Sequence, residues 1–334
     1  MNIAIVGATG NVGRKLLEVL ERTNFEFSEI YLIASDKSVG KKITFKNKNH
    51  SIIGLSNFDF GKVKLAFFSA GSSIAEKWAP IAAKKTIVID NSKHFRMNKE
   101  IPLVVPEVNP EALKLYKNKN IIANANCSTI QLVLALKPLH DQFKIKRVVV
   151  STYQSVSGAG QNHMTELEEQ SKLVLDKKKV NSKNFTKQIA FNVIPHIDSF
   201  MDDGSTKEEW KMTVETKKIL DPNIALTATC VRVPVFIGHS ESVNIEFKSE
   251  VNAEKIRQCL AKAPGCKVVD ETKDGGYITP AESAGDFTTY VSRIREDKTQ
   301  KNSINMWIVS DNLLKGAALN AMQIATILIK KYIN

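Results

Sequence analysis

The chain has 334 residues, of which 43% are hydrophobic and 25% charged, and it carries a formal net charge of +12. That is long enough for two domains, each with its own core, and the composition is that of a soluble globular protein. The positive charge is scattered. Lys177-Lys178-Lys179 is its densest patch and reads as a solvated helix end. With no zinc-ligand spacing and no RNP-like aromatic motif, neither nucleic acid nor a metal is expected as a partner.

No apolar run reaches membrane-spanning length, so no membrane association is expected. The first strand starts at Asn2 with no signal peptide before it. The four cysteines, Cys127, Cys230, Cys259 and Cys266, form no CxxC pair. Sparse thiols in a large chain suit a reducing compartment, and the cytoplasm is the expected location.

In chain order, the apolar run Ile3–Val6 is followed by Gly7-Ala8-Thr9-Gly10-Asn11-Val12-Gly13 and then by Leu16, Leu17 and Leu20 at helical spacing. This reads as strand, glycine turn and helix. Such a turn lets a pyrophosphate approach the backbone and the helix N-terminus. A second strand, Ile30–Ala34, leads to Ser35-Asp36-Lys37-Ser38, where ribose selectivity is decided. Asp36 suits the 2′-hydroxyl of NAD, while Lys37 and Ser38 suit the 2′-phosphate of NADP. The residues alone leave both open. Lys41 and Lys42 read as a solvated hairpin edge.

Further alternation follows: strand 64–68, helix 73–84, strand 86–89 and strand 120–123. It predicts a parallel, doubly wound Rossmann-type sheet. Loops at the carboxyl ends of such strands, 69–73, 90–96 and 124–127, should line one crevice. Cys127 stands in Asn124-Ala125-Asn126-Cys127-Ser128-Thr129, at the start of a helix. Open N–H groups and the helix dipole there favour a thiolate.

After that helix the texture changes. Long β-branched strands are expected at 147–156, 189–194, 225–235, 242–247, 289–295 and 304–309. Helices are expected at 161–175 and 206–220, and an apolar closing helix at 313–329. The second domain is therefore expected to be an inserted α+β domain on a mixed sheet, which the family resemblance given below makes the catalytic and dimerisation domain. The expected boundaries are 1–127 with 312–334 for the nucleotide domain and 128–311 for the insert.

A nucleophilic cysteine needs an acid/base and a group to bind the substrate's oxygen. Gln154, near the end of the long strand, can orient a substrate without titrating. Glu208 and Lys211 share a helix face and on their own read as a surface ion pair. Arg232 interrupts an apolar strand and must face water, a cleft or a partner. His239, in a turn before the next strand, titrates near neutral pH. His50, His94, His140, His163 and His196 have no comparable setting and read as structural.

Taken together and in order, GATGNVG (7–13), DNSKHFR (90–96), VPEVN (105–109), NANCST (124–129), STYQSVSGAG (151–160), EEWKM (208–212), RVPVFIGHS (232–240) and DNLLKGAALN (311–320) resemble the aspartate-β-semialdehyde dehydrogenase family along the whole chain. The resemblance implies a homodimer, possibly a tetramer. It also implies reversible NADPH-dependent reduction of L-aspartyl-4-phosphate to L-aspartate-4-semialdehyde and phosphate. That reaction belongs to lysine, threonine, methionine and isoleucine biosynthesis.

The resemblance makes Cys127 the thioester-forming nucleophile, His239 the acid/base and Gln154 the group that positions substrate. It puts Arg232 on the substrate carboxylate, Glu208 on its ammonium, and Arg96 and Lys211 on phosphate. Gly7, Thr9, Gly10, Asn11 and Val12 would hold the pyrophosphate, and Lys37 and Ser38 the ribose phosphate. Ser157, Gly158 and Asn312 would approach the nicotinamide.

Two departures stand out. Ala125 replaces a common Pro before the nucleophile, and Lys37 replaces a common Arg. The second leaves NADP preferred and NAD possible. Rival readings are an N-acetyl-glutamyl phosphate reductase, a glyceraldehyde-phosphate-type dehydrogenase and a non-catalytic cofactor-binding protein.

Overall fold

The computed structural model describes residues 1–333. They form two compact units. One runs from Met1 to Ala125 and resumes at Ala317, and the other spans Asn126–Gly316.

The first unit starts with β1 (Ile3–Val6), α1 (Asn11–Arg22), β2 (Ile30–Ala34) and a hairpin of β3 (Lys42–Phe45) and β4 (Lys48–Ser51). It continues through β5 (Ile53–Gly54), β6 (Leu65–Phe68), α2 (Ser72–Ala82), β7 (Ile87–Asp90), β8 (Leu103–Val104) and β9 (Ile121–Asn124). Seven strands make one sheet in the order β5-β2-β1-β6-β7-β9-β8. Every pair in it is parallel. The central strands are apolar at successive positions and buried on both faces, as a doubly covered parallel sheet requires.

The second unit begins with α3 (Cys127–Phe143), β10 (Ile145–Gln154), α4 (Gln161–Leu175), α5 (Lys207–Ile219), β11 (Ala225–Arg232) and β12 (His239–Phe247). It ends with α6 (Ala253–Ala261), β13 (Cys266–Val268), α7 (Pro280–Ser283), β14 (Thr289–Glu296) and β15 (Ser303–Ser310). Its six-stranded sheet has the order β11-β10-β12-β15-β14-β13. The pairs β10–β11 and β13–β14 are parallel and the rest antiparallel, so the sheet is mixed. One face packs under Leu132, Leu136 and Leu139 of α3, Met212 of α5, and Ile256 and Leu260 of α6. The chain then returns to the first unit as α8 (Leu319–Leu328).

Several expectations need correction. No strand forms at 189–194. The N–H groups of Ile189 and Ala190 donate instead to the buried Gln170 Oε1 at 2.8 and 3.3 Å. Ile189, Ala190 and Ile194 fill a small cluster with Val156 and Leu167. The run is thus a loop whose ends, Ile189, Ala190 and Ile194, are buried while Phe191 and Val193 stay exposed, and whose start anchors on a side chain. Only Ile194 makes a bridge, to Arg232.

β11 ends at Arg232 rather than residue 235, because Pro234 has no N–H to continue the ladder. His239 is not in a turn but opens β12, paired with Ser310. The helix α6, unassigned from sequence, starts where Asn252 Oδ1 accepts the Lys255 N–H at 2.9 Å. The closing helix begins with a wide turn over Leu314–Ala318.

Close packing of α1 on the turn that follows β1 depends on Gly13. A Cβ there would lie 2.2 Å from the Gly7 carbonyl oxygen. Because the opposing atom is backbone, Gly13→Ala must move the helix. We expect a loss of about 3 kcal/mol in chemical denaturation, with weakened nucleotide binding.

Candidate active site

In the first unit, Gly7, Thr9 and Gly10 line a cleft of about 340 Å³ together with Ala34, Ser35, Ser69 and Ala70. Asn11 and Val12 open α1, whose N-terminus has neither a side-chain cap nor an acidic residue in its first turn. An anion is favoured at such a terminus. Lys37 and Ser38 follow on the single helical turn Asp36–Ser38. Asp36 Oδ1 accepts the Ser56 hydroxyl at 3.2 Å. Arg96 is buried, with Nε donating to the Asn124 carbonyl at 2.9 Å and Nη2 to the Asn91 carbonyl at 3.1 Å. This cradle fits a dinucleotide.

In the second unit the core face of the sheet changes character along three strands at one level. On β10, Val148 and Val150 give way to Thr152 and Gln154. On β12, Ile245 and Val243 give way to Glu241 and His239. On β11, Cys230 is followed by Arg232. Register aligns these switches. Gln154 pairs with Arg232, and Thr152 pairs with both Cys230 and Glu241. Side chains at alternate positions share a face, so a polar row tops the apolar core.

The N-terminus of α3 meets this row. Asn126 Oδ1 caps the helix by accepting the N–H groups of Ser128 and Thr129 at 3.0 and 3.2 Å. Its Nδ2 donates to Glu208 Oε1 at 2.9 Å, and its backbone N–H donates to Glu215 Oε2 at 2.7 Å. The helix start expected to offer open N–H groups is therefore partly closed by its own cap. Cys127 is half-buried as the first residue of α3. A Cβ at Gly316 would come within 3.0 Å of the Cys127 Cβ, a tight approach that glycine avoids.

Glu208 is the hub. Its carboxylate accepts from Lys211, from Asn126 Nδ2 and, at 3.1 Å, from Gln154 Nε2. Burial pushes its pKa up, but the Lys211 charge and these three donors prevail and lower it to about 2. It is an anion at neutral pH. Glu208 and Lys211 are not a surface pair, since their side chains are 7% and 11% exposed. Gln154 also donates to Ser128 Oγ, and its buried Oε1 has no partner among the described residues.

Arg232 donates to the Ser155 carbonyl at 2.6 Å. Burial lowers its pKa, against the pull of Glu208 and Cys127. His239 is buried, and its Nδ1 accepts the Ser155 backbone N–H at 3.0 Å. A backbone donor at Nδ1 assigns the ring proton to Nε2. Burial, reinforced by the Arg232 charge, drops its pKa to about 3. The ring is neutral, and its Nε2–H is a donor. Asn312 Oδ1 accepts from Ser155 Oγ, Ser157 Oγ and the Gly238 N–H. That network fixes the turn bearing Ser157 and Gly158.

The second unit thus gathers Gln154, Glu208, Lys211, Arg232 and His239 around the capped start of α3. Arg96, the glycine turn, Lys37 and Ser38 belong to the first unit. Sequence reasoning missed Asn126, Glu215, Ser155 and Glu241. Asn before a helix is a readable cap signal, but its second contact crosses to α5. Glu241 is fully buried, and burial raises its pKa well above normal against the pull of a Gln131 hydrogen bond. It lies one row below Gln154 and His239 on the sheet. Among the described residues, no group of three or more His, Cys, Asp or Glu is placed to hold a metal ion, and no helix is long and apolar enough to cross a membrane.

A family model described as semialdehyde dehydrogenase, NAD binding domain, matches residues 2–116. Another, described as semialdehyde dehydrogenase, dimerisation domain, matches residues 136–315. With the parallel and mixed sheets, these define the class, a semialdehyde dehydrogenase oxidoreductase with a nucleotide-binding domain. Aspartate-semialdehyde dehydrogenase of Rickettsia bellii is 50% identical over 335 residues, covering 99% of this chain and 98% of that protein. The crystal structure of aspartate semialdehyde dehydrogenase II complexed with ASA from Vibrio cholerae superposes with a TM-score of 0.97 at 47% identity, covering 99% of this chain and 98% of that one. Aspartate semialdehyde dehydrogenase with NADP from Candida albicans has a TM-score of 0.77 at 27% identity, covering 100% and 99%. The chain belongs to the aspartate-semialdehyde dehydrogenase family.

Proton linkage at His239 has a definite sign. Its ordinary pKa of 6.5 falls to about 3 in the fold, so below pH 6.5 the unfolded chain takes up a proton that the folded one refuses. Stability is therefore full above pH 6.5 and drains as pH falls toward 3. Glu208 adds a loss only below its ordinary 4.5. His239→Asn, which keeps an acceptor for the Ser155 N–H, should reduce the stability lost between pH 6.5 and 4.5 by about 2 kcal/mol in denaturant titrations.

Proposed function

We propose that the chain is an NADP-dependent, phosphorylating aspartate-semialdehyde dehydrogenase. It interconverts L-aspartyl-4-phosphate and L-aspartate-4-semialdehyde plus phosphate through a thioester on Cys127, as a cytoplasmic homodimer serving amino-acid biosynthesis. The observation that carries this reading is the buried Glu208 anion beside Gln154 Oε1, which has no partner among the described residues, at the start of the Cys127 helix. That pairing suits a substrate with a free ammonium group. It disfavours the acylated amine of N-acetyl-glutamyl phosphate, which carries no charge.

In this reading the Cys127 thiolate, stabilised by the nearby Arg232 guanidinium, attacks the acyl carbon and phosphate leaves. Arg232 holds the substrate α-carboxylate, Glu208 its ammonium, and Arg96 and Lys211 the phosphate. Gln154 orients the acyl group. His239 donates its Nε2–H to the acyl oxygen, where negative charge develops, and collapse of the adduct returns the electron pair to sulfur. Bound NADPH supplies the hydride that reduces the thioester. With Nδ1 accepting the Ser155 N–H, the Nε2 side of the ring is the one that serves as the acid/base of this reading.

Gly7, Thr9, Gly10, Asn11 and Val12 hold the cofactor's pyrophosphate, and Ser157, Gly158 and Asn312 its nicotinamide side. Preference for NADP rests on Lys37 and Ser38, with Asp36 turned to Ser56. The Candida albicans relative, crystallised with NADP, supports it. The outer sheet face, with the Tyr153 and Trp307 rings 5.5 Å apart and tilted by 46°, supports a second copy as its cover.

The test is phosphate-dependent reduction of NADP⁺ by aspartate semialdehyde, run beside NAD⁺. Activity is expected with NADP⁺, and no signal with either cofactor overturns the assignment. Reduction of N-acetyl-glutamyl phosphate but not aspartyl phosphate would transfer the chain to the rival reductase. Cys127→Ser should lose at least about a thousandfold in kcat while still binding nucleotide.

A further inference from the structure

Lys211 faces two carboxylates. Its ammonium pairs with Glu208, one turn earlier on α5, and with Asp198 Oδ2 at 3.1 Å. Asp198 lies in the segment between α4 and α5, and its backbone is bent to bring it there. Its φ is 68°, in the left-handed region that most side chains avoid and Asp and Asn tolerate. The segment is tied down on both sides of the bend. Before it, Ile194 and Arg232 exchange backbone hydrogen bonds of 2.9 and 2.8 Å; after it, the Lys207 N–H donates to the Ser199 carbonyl at 2.9 Å. Asp198 Oδ1 accepts the Ser199 N–H at 3.0 Å, so the carboxylate is oriented as well as placed.

Glu208 and Lys211 alone would block each other. The functional reading requires Glu208 to meet an ammonium and Lys211 to meet phosphate, yet each is the other's nearest counter-ion. A second carboxylate on Lys211 resolves this. It keeps the ammonium compensated when Glu208 turns to the substrate, and its negative charge restrains Lys211 from binding phosphate too tightly.

Resting on the function proposed above, we propose that Asp198 is a positioning residue that apportions Lys211. It frees Glu208 for the substrate ammonium and sets the affinity of Lys211 for phosphate. Asp198 acts through its ion pair with Lys211.

The test is Asp198→Asn, which keeps the left-handed backbone and the acceptor for Ser199 but removes the charge. Two Michaelis constants should move in opposite directions. The KM for inorganic phosphate should fall at least about threefold, and the KM for aspartate semialdehyde should rise at least about threefold. A merely structural role would worsen both together. If both constants move the same way, or both stay within about twofold in a natively folded variant, the inference is overturned. Asp198→Gly, which also accepts the backbone, gives the same reading should the Asn variant fold poorly. Wild-type enzyme run alongside separates the claims. Absence of phosphate-dependent activity there defeats the functional reading, whereas active wild type with an unsplit variant defeats the Asp198 assignment alone.

Discussion

A carboxylate held ionised inside the second unit is the constraint on which its site depends. Glu208 is 5% exposed. Burying such a charge costs several kcal/mol unless donors replace the lost water. Those donors come from three elements at once: Asn126 before α3, Gln154 at the end of β10, and Lys211 on α5 itself. Satisfying one anion therefore sets the start of α3, and Cys127 with it, against the sheet.

The same logic explains why the core face turns polar where it does. Below this level, α3, α5 and α6 cover the strands with Leu, Ile and Met side chains. At the top row, charge of both signs is concentrated. Lys211 and Arg232 balance Glu208, and Asp198 adds a second negative charge. His239 is kept neutral because burial and Arg232 both oppose a third cation. Glu241, one row down, has its carboxyl pKa raised by burial.

Much of the fold is legible in residue patterns. The parallel sheet announces itself through continuous apolar strands alternating with helices, and β2 and α4 fall where the pattern puts them. The pattern fails where a side chain satisfies the backbone. At 189–194 the β-branched run looks extended, yet its first two N–H groups end on Gln170, a partner far away in sequence. Pro234 is a visible stop signal for β11, although the β-branched residues on either side of it carry the strand pattern onward.

The sequence by itself determined the two sheet types, the glycine turn before α1, and the cysteine at a helix start, because periodicity and turn chemistry are local properties. Family resemblance added the roles of the site residues. Only the tertiary structure decided that Glu208 and Lys211 are buried rather than solvated, since helical spacing puts them on one face but cannot say what covers it. It also decided that Asn126 spends its side chain on both a cap and Glu208, that Ser155 sets the proton of His239, and that a left-handed bend brings Asp198 to Lys211. Each joins residues distant along the chain, and burial and hydrogen bonding become defined only when the chain has folded.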